Sequence, residues 1–184
     1  MTVRPQTRRL HHRVLLTAFV TVVGCFLAQA ATGDDAVPAS RVRSSDVSII
    51  ALIDTATAQS PTFSLLRMRL EASDGIVYIE PGSCGHGVRA CLKMWMQVSG
   101  PNRFLRIVVD RQKTSSDAEF MGSIGHELQH ALEALSQQSI RDGAQLYNFF
   151  RRTAPTDDNR FETAAAVNAG HTVRDELGVR RAAR

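Results

Sequence analysis

The run His126-Glu127-Leu128-Gln129-His130 constrains this chain more than any other stretch of it. Two histidines four apart lie nearly above one another on a helix of 3.6 residues per turn, so both can aim a ring nitrogen at one point. Glu127 sits about 100° round the same helix, beside that point and not on it. Such a helix needs one face packed on a core and the other left open. With His126 at 0°, His130 falls at about 40°, whereas Met121, Ile124, Leu128, Leu132 and Leu135 fall between about 160° and 240°. The histidines therefore face away from the apolar stripe, where they either floor a cleft or stand solvated on a surface helix, and the second reading does not explain the glutamate between them.

Two imidazoles at this spacing suit Zn²⁺, and a glutamate beside the ion can take a proton from water there and return it to a leaving group. A catalytic zinc also needs a third protein ligand and one open position. Beyond residue 30 the other histidines are His86 and His171 alone, which makes a carboxylate a serious candidate. On a final helix expected from about Asp158 to Leu177, Glu162 shares a stripe with Phe161, Ala165, Ala166, Ala169, Val173 and Leu177, while His171 points the other way. A carboxylate in an apolar stripe must be paired or bound to metal. A salt bridge to Arg151, Arg152 or Arg160 is the alternative to ligation, and a metal short of one ligand favours ligation. Glu133 falls at about −20° on the histidine wheel, where it either orients His130 or stands in solvent. Tyr147 is the candidate for stabilising a developing oxyanion, against the plainer role of a half-buried tyrosine.

The 184 residues exceed what this site needs, and the first 30 read as a secretory signal peptide. Arg4, Arg8, Arg9 and Arg13 precede an apolar run from Val14 to Leu27, and Ala28-Gln29-Ala30 offers small residues for cleavage. Fourteen apolar residues fall short of a membrane span. Val22-Val23-Gly24-Cys25 resembles a lipoprotein box, so lipidation at Cys25 is the alternative to cleavage after Ala30, and apart from the signal peptide it is the one membrane attachment the chain offers. The leader holds four of the 22 basic residues and none of the 18 acidic ones, so the exported chain is near neutral and nucleic-acid binding loses its support. Only Cys84 and Cys91 remain after the leader, an even count that predicts a disulfide in an oxidising compartment, periplasmic or extracellular. A metal site from Cys84, His86 and Cys91 is the alternative there.

Ala31 to about residue 45 reads as a flexible tether, 46–178 as a single domain and 179–184 as a basic tail. Asp46 caps a helix to about Ala58 with Ile49, Ile50 and Ile53 on one side, and Ser60-Pro61 starts a second to about Ser73. Ile76 to Ile79, Leu92 to Val98 and Phe104 to Val109 read as strands of a small antiparallel sheet, the last two joined by the turn Ser99-Gly100-Pro101-Asn102. Ser115 or Ser116 caps the histidine helix, which runs to about Gln137, and 143–152 form a shorter helix.

These residues resemble the gluzincin-like zinc metallopeptidases: HExxH on one helix, then Glu162-Thr163-Ala164-Ala165 as a glutamate ligand in an E-x-x-A setting on a later one. The resemblance covers 104–177 at most, and 31 residues separate His130 from Glu162 without a second motif. It implies a compact α+β zincin-like domain holding one Zn²⁺ through His126, His130 and Glu162, with Glu127 as general base and acid. It also implies a peptide or protein substrate and places Phe104 to Val109 as the edge strand beside the cleft. The alternatives are a non-catalytic zinc-binding envelope protein and an amidase acting on a cell-wall amide.

Overall fold

Helix caps written in the sequence set the first elements of the fold. The computed structural model describes residues 39–85, 87–154 and 161–182. The expected signal segment, Cys25, His86 and the tether up to residue 38 lie outside them. Helix α1 spans Val47–Gln59, and the Asp46 carboxylate accepts the Ser48 and Ile49 amides at its start. Its stripe is narrower than expected: Ile49 and Ile53 are buried but Ile50 is exposed. Helix α2, Pro61–Glu71, begins with proline at its first position and Ser60 as cap, and buries Phe63, Leu66 and Leu70.

The sheet is mixed, which corrects the antiparallel arrangement expected from the sequence. Strand β1 is Val42–Arg43, β2 Gly75–Pro81, β3 Ala90–Ser99 and β4 Asn102–Val109, in the order β1-β2-β4-β3. Only the β3–β4 hairpin is antiparallel; β2 runs parallel to both β1 and β4. The hairpin turns at Gly100, whose φ of 54° suits glycine, with Ser99 opposite Asn102. The connection from β2 to β3 turns back past the end of β4, which takes the place between them. Two further corrections follow. Phe104 to Val109 is an interior strand, and the edge is β3. Part of the expected tether is structured, since Val42 is buried and the β1 backbone pairs with Val77 and Tyr78.

One face of the sheet carries the core: Val77 and Ile79 of β2, Leu92 and Met96 of β3, and Leu105, Ile107 and Val109 of β4. Arg103 shares that face by strand parity and is 2% exposed. It donates to both Asp74 carboxylate oxygens and to the carbonyls of Leu135, Gln137 and Ile140, so it ties the start of β4 to the end of the histidine helix. The other face is stitched by a Tyr78–Phe104 ring stack and by Arg106, which lies over Trp95 and pairs with Glu80.

Helix α3, Asp117–Leu135, starts at the Ser116 cap, and Glu119 reaches back to the Ser115 amide and hydroxyl. It packs on β3 and β4 on one side and on α5, Ala164–Ala182, on the other. Gly122 and Gly170 make that second contact close: a Cβ at Gly122 would stand 2.8 Å from the Gly170 carbonyl oxygen. Helix α4, Gly143–Thr153, completes the set and packs against β3. Helix α5 begins six residues later than expected and continues into the stretch read as a basic tail, to Ala182. The described residues thus form a small α+β unit with five α-helices and a four-stranded mixed sheet. No described helix is long and apolar enough to cross a membrane.

Candidate metal centre

The middle of α3 carries the two histidines, and both are held by packing. His130 is 4% exposed, and its ring meets Phe150 of α4 edge-on at 5.2 Å. His126 is more open, with a side chain 19% exposed. Their Nε2 atoms stand 3.1 Å apart with the rings near perpendicular. Glu162 brings Oε2 to 3.1 Å from His126 Nε2. The three ligand atoms all lie within 4.8 Å of one another, and the group could hold a metal ion.

Glu162 reaches this place by a route other than the one its helical wheel suggested. It lies two residues before α5 begins, in the segment 161–163, and its side chain is 46% exposed. The apolar stripe of α5, Ala166, Ala169 and Val173, is real but does not contain it. Its position comes from Thr163, whose hydroxyl accepts the Ala166 amide as the cap of α5 and donates to Glu133 Oε1 at 2.7 Å. A threonine directly before an alanine run is a helix-start signal, so this residue was readable from sequence and was missed.

Glu133 is the residue that joins the two halves. Its Oε2 stands 3.1 Å from His130 Nδ1, and Gln129 adds a weaker contact at 3.3 Å. Burial pushes Glu133 upward, but the hydrogen bonds from His130 and Thr163 outweigh it and hold its pKa below the ordinary glutamate value. An ionised Glu133 accepts a hydrogen bond from His130 Nδ1–H and so keeps the proton on Nδ1, which leaves Nε2 as a bare lone pair facing the centre. Of the two roles open to Glu133, orienting His130 is the one that the geometry fits.

At the centre itself, His130 Nε2 and Glu162 Oε2 are both acceptors aimed at His126 Nε2. Burial lowers the His126 pKa, but the Glu162 hydrogen bond and the charges of Glu127, Glu162 and Glu133 prevail and raise it. The trio therefore calls for positive charge at one point, which a proton or a cation supplies. Two nitrogens bound tetrahedrally at the usual Zn–N distance stand about 3.3 Å apart. The observed 3.1 Å is close to that spacing.

Glu127 is 8% exposed and accepts the Leu92 amide at Oε2, 2.7 Å away. Burial raises its pKa against the lowering effect of His126 and His130. No sequence signal marks Leu92. Its amide is available because β3 is an edge strand and Leu92 points its amide away from β4; beyond it the register slips before Met96, and Lys93, Met94 and Trp95 line the cleft.

The cleft, about 1220 Å³, runs from this wall past His126, Glu127, His130 and Glu162 to Phe150 and Phe161. Tyr147 is not among the residues lining it; its ring packs edge-on against Phe161 at 5.5 Å. Cys84 and Cys91 form a disulfide on the cleft rim, which removes both thiols as metal donors. His171 is exposed on α5 and is not in the metal-binding group. Comparisons with protein-family models, curated protein sequences and solved structures returned no match.

Proposed function

We propose that the protein is an exported zinc-dependent hydrolase, and within that class a metallopeptidase. The observation that carries the reading is the convergence of His126 Nε2, His130 Nε2 and Glu162 Oε2 beside the buried carboxylate of Glu127. Two imidazoles and one carboxylate are a donor set that Zn²⁺ accepts, and three protein ligands leave a coordination position for a reactant. Among the described residues no fourth side chain joins the group, which supports a catalytic site over a closed structural one.

A bound Zn²⁺ would supply a Lewis acid that polarises a carbonyl and makes nearby water acidic at neutral pH. The remaining work falls to the chain. Glu127 moves the proton: Leu92 anchors one of its oxygens, and burial raises its pKa toward the range where a carboxylate both takes up and releases a proton. Glu133 and Thr163 hold His130 and the Glu162 segment in register. Strand β3 is the sheet edge that borders the cleft, so an extended peptide can pair with it, and Phe150 and Phe161 wall the cleft with apolar surface. Such an edge favours a peptide over a compact cell-wall amide.

The test is metal-dependent hydrolysis. Purified protein is expected to carry one zinc per chain and to cleave peptides, to lose activity to a chelator and to regain it with added Zn²⁺. A protein that binds one zinc yet leaves a broad peptide library intact would remove the hydrolase reading. It would leave a zinc-binding envelope protein in its place.

A further inference from the structure

Two of the three metal-binding candidates, His126 and Glu162, stand where two cavities meet. Besides the main cleft there is a side pocket of about 210 Å³ between α3 and α5, and His126, Glu162, Arg89 and Ser123 border both. A substrate lying along the cleft past the trio therefore runs into this pocket.

Charge sets the pocket apart. Arg89 and Arg174 line it together with His171, and the acids among its lining residues are Glu119 and Glu162. Glu119 is already committed. It accepts the Ser115 amide and hydroxyl at 2.7 and 2.8 Å, and pairs with Arg89. With Glu162 taken up by a metal ion in this reading, Glu119 alone faces the two guanidiniums, before the charge of that ion is added. Arg174 gives its Nε to Asp175, whose side chain is 66% exposed, and a solvent-facing pair of this kind holds a guanidinium only weakly. Both arginines are close to half exposed, at 45% and 46%, and so are accessible to a ligand. The pocket is smaller than the roughly 300 Å³ at which sites for drug-sized ligands begin, which suits a single residue-sized group.

We propose that this side pocket is a subsite for a carboxylate at the end of the substrate, so that the bond presented to the metal centre is the last amide of a peptide chain. The inference rests on the metallohydrolase reading and names the substrate class for that site. Guanidinium groups match carboxylates in planar, two-point geometry, which is why two arginines and not two lysines make the assignment specific. The terminal carboxylate of a free peptide and that of a cell-wall stem peptide share this chemistry.

Two probes test it by calorimetry on the zinc-loaded protein: the monohydroxamate of succinic acid, and the same molecule with its carboxylate replaced by a carboxamide. Both grip the metal through the hydroxamate, so their difference reads the carboxylate alone. The acid is expected to bind at least about tenfold more tightly at low ionic strength. In the Arg89→Gln/Arg174→Gln variant that advantage should vanish while the amide probe keeps its affinity, which also reports that the variant is folded. Equal affinities in the wild type, or an acid preference that survives in the variant, overturn the proposal. The wild-type comparison stands whether or not a variant folds. Failure of both probes to bind the wild type would instead remove the metal reading, and this inference with it. If the subsite is real, peptides with a free C-terminus should be cleaved faster than their amidated counterparts, and stem-peptide substrates can then be ranked against free peptides.

Discussion

Replacing Glu133 by glutamine should weaken zinc binding by about 10- to 100-fold without unfolding the protein. The carboxylate accepts from His130 Nδ1 at 3.1 Å, from Thr163 at 2.7 Å and from Gln129 at 3.3 Å, and its side chain is 17% exposed. Glutamine keeps the shape and one acceptor oxygen but loses the charge. What disappears is the charge-assisted part of the His130 and Thr163 contacts, about 1.5–3 kcal/mol for a bond to an ionised group, and each 1.4 kcal/mol is tenfold in affinity. The loss falls on the metal because His130 Nε2 is a bare donor only while Nδ1 holds the proton, and Glu133 is what keeps it there. Competition of wild type and variant against a chelator of known affinity measures the effect, and a thermal melt of both apo-proteins checks the fold. Gln129→Ala removes only the 3.3 Å contact and serves as the control, with a change of no more than about twofold expected. A Glu133→Gln variant within about twofold of wild type would refute the positioning role and return Glu133 to an ordinary solvated charge.

Arg103→Met should destabilise the fold by about 3 kcal/mol or more in urea titrations, because it leaves the carbonyls of Leu135, Gln137 and Ile140 and the Asp74 carboxylate without their donor. The same pair predicts acid sensitivity. The Arg103 hydrogen bond holds Asp74 below its usual pKa, so this contribution is complete above about pH 4 and fades as pH falls through the depressed value. The Met variant should lose that portion of the pH dependence. Gly122→Ala adds a Cβ 2.8 Å from the Gly170 carbonyl oxygen and 2.9 Å from Arg174 Cβ. Overpacking of about 1–3 kcal/mol should exceed the gain of about 1 kcal/mol in helix propensity. A lowered melting temperature and weaker zinc binding are expected together, since the contact also positions α5 beside His126.

Local signals were the legible ones. Asp46, Ser60 and Ser116 start helices where a capping side chain stands before an apolar-periodic run, and Gly100 closes the one hairpin. The spacing of His126 and His130 was enough to bring their nitrogens together, because a helix fixes that relation by itself. Relations across the chain were not legible. Residue type does not say which strand lies beside which, so nothing in the apolar run Ile76 to Ile79 says that it pairs with β4. The two residues of β1 are too few to carry a pattern. Glu162 was found for an incomplete reason: its wheel assumed a helix that starts only after Thr163, and the carboxylate reaches the histidines from a non-helical segment. Arg103 was readable, since it shares parity with Leu105, Ile107 and Val109, and a charged residue on a core face demands partners. The Leu92 amide that holds Glu127 depends on β3 lying at the sheet edge, which leaves no mark in residue type.

The most direct test of the account separates metal from catalysis at one side chain. Zinc content and peptide hydrolysis are measured on the wild type and on Glu127→Gln, which keeps an oxygen for the Leu92 amide but cannot carry the proton. The account predicts one zinc per chain in both proteins and a loss of about 10²- to 10⁴-fold in kcat in the variant alone. Equal hydrolysis by the two proteins, with zinc bound in each, would contradict it.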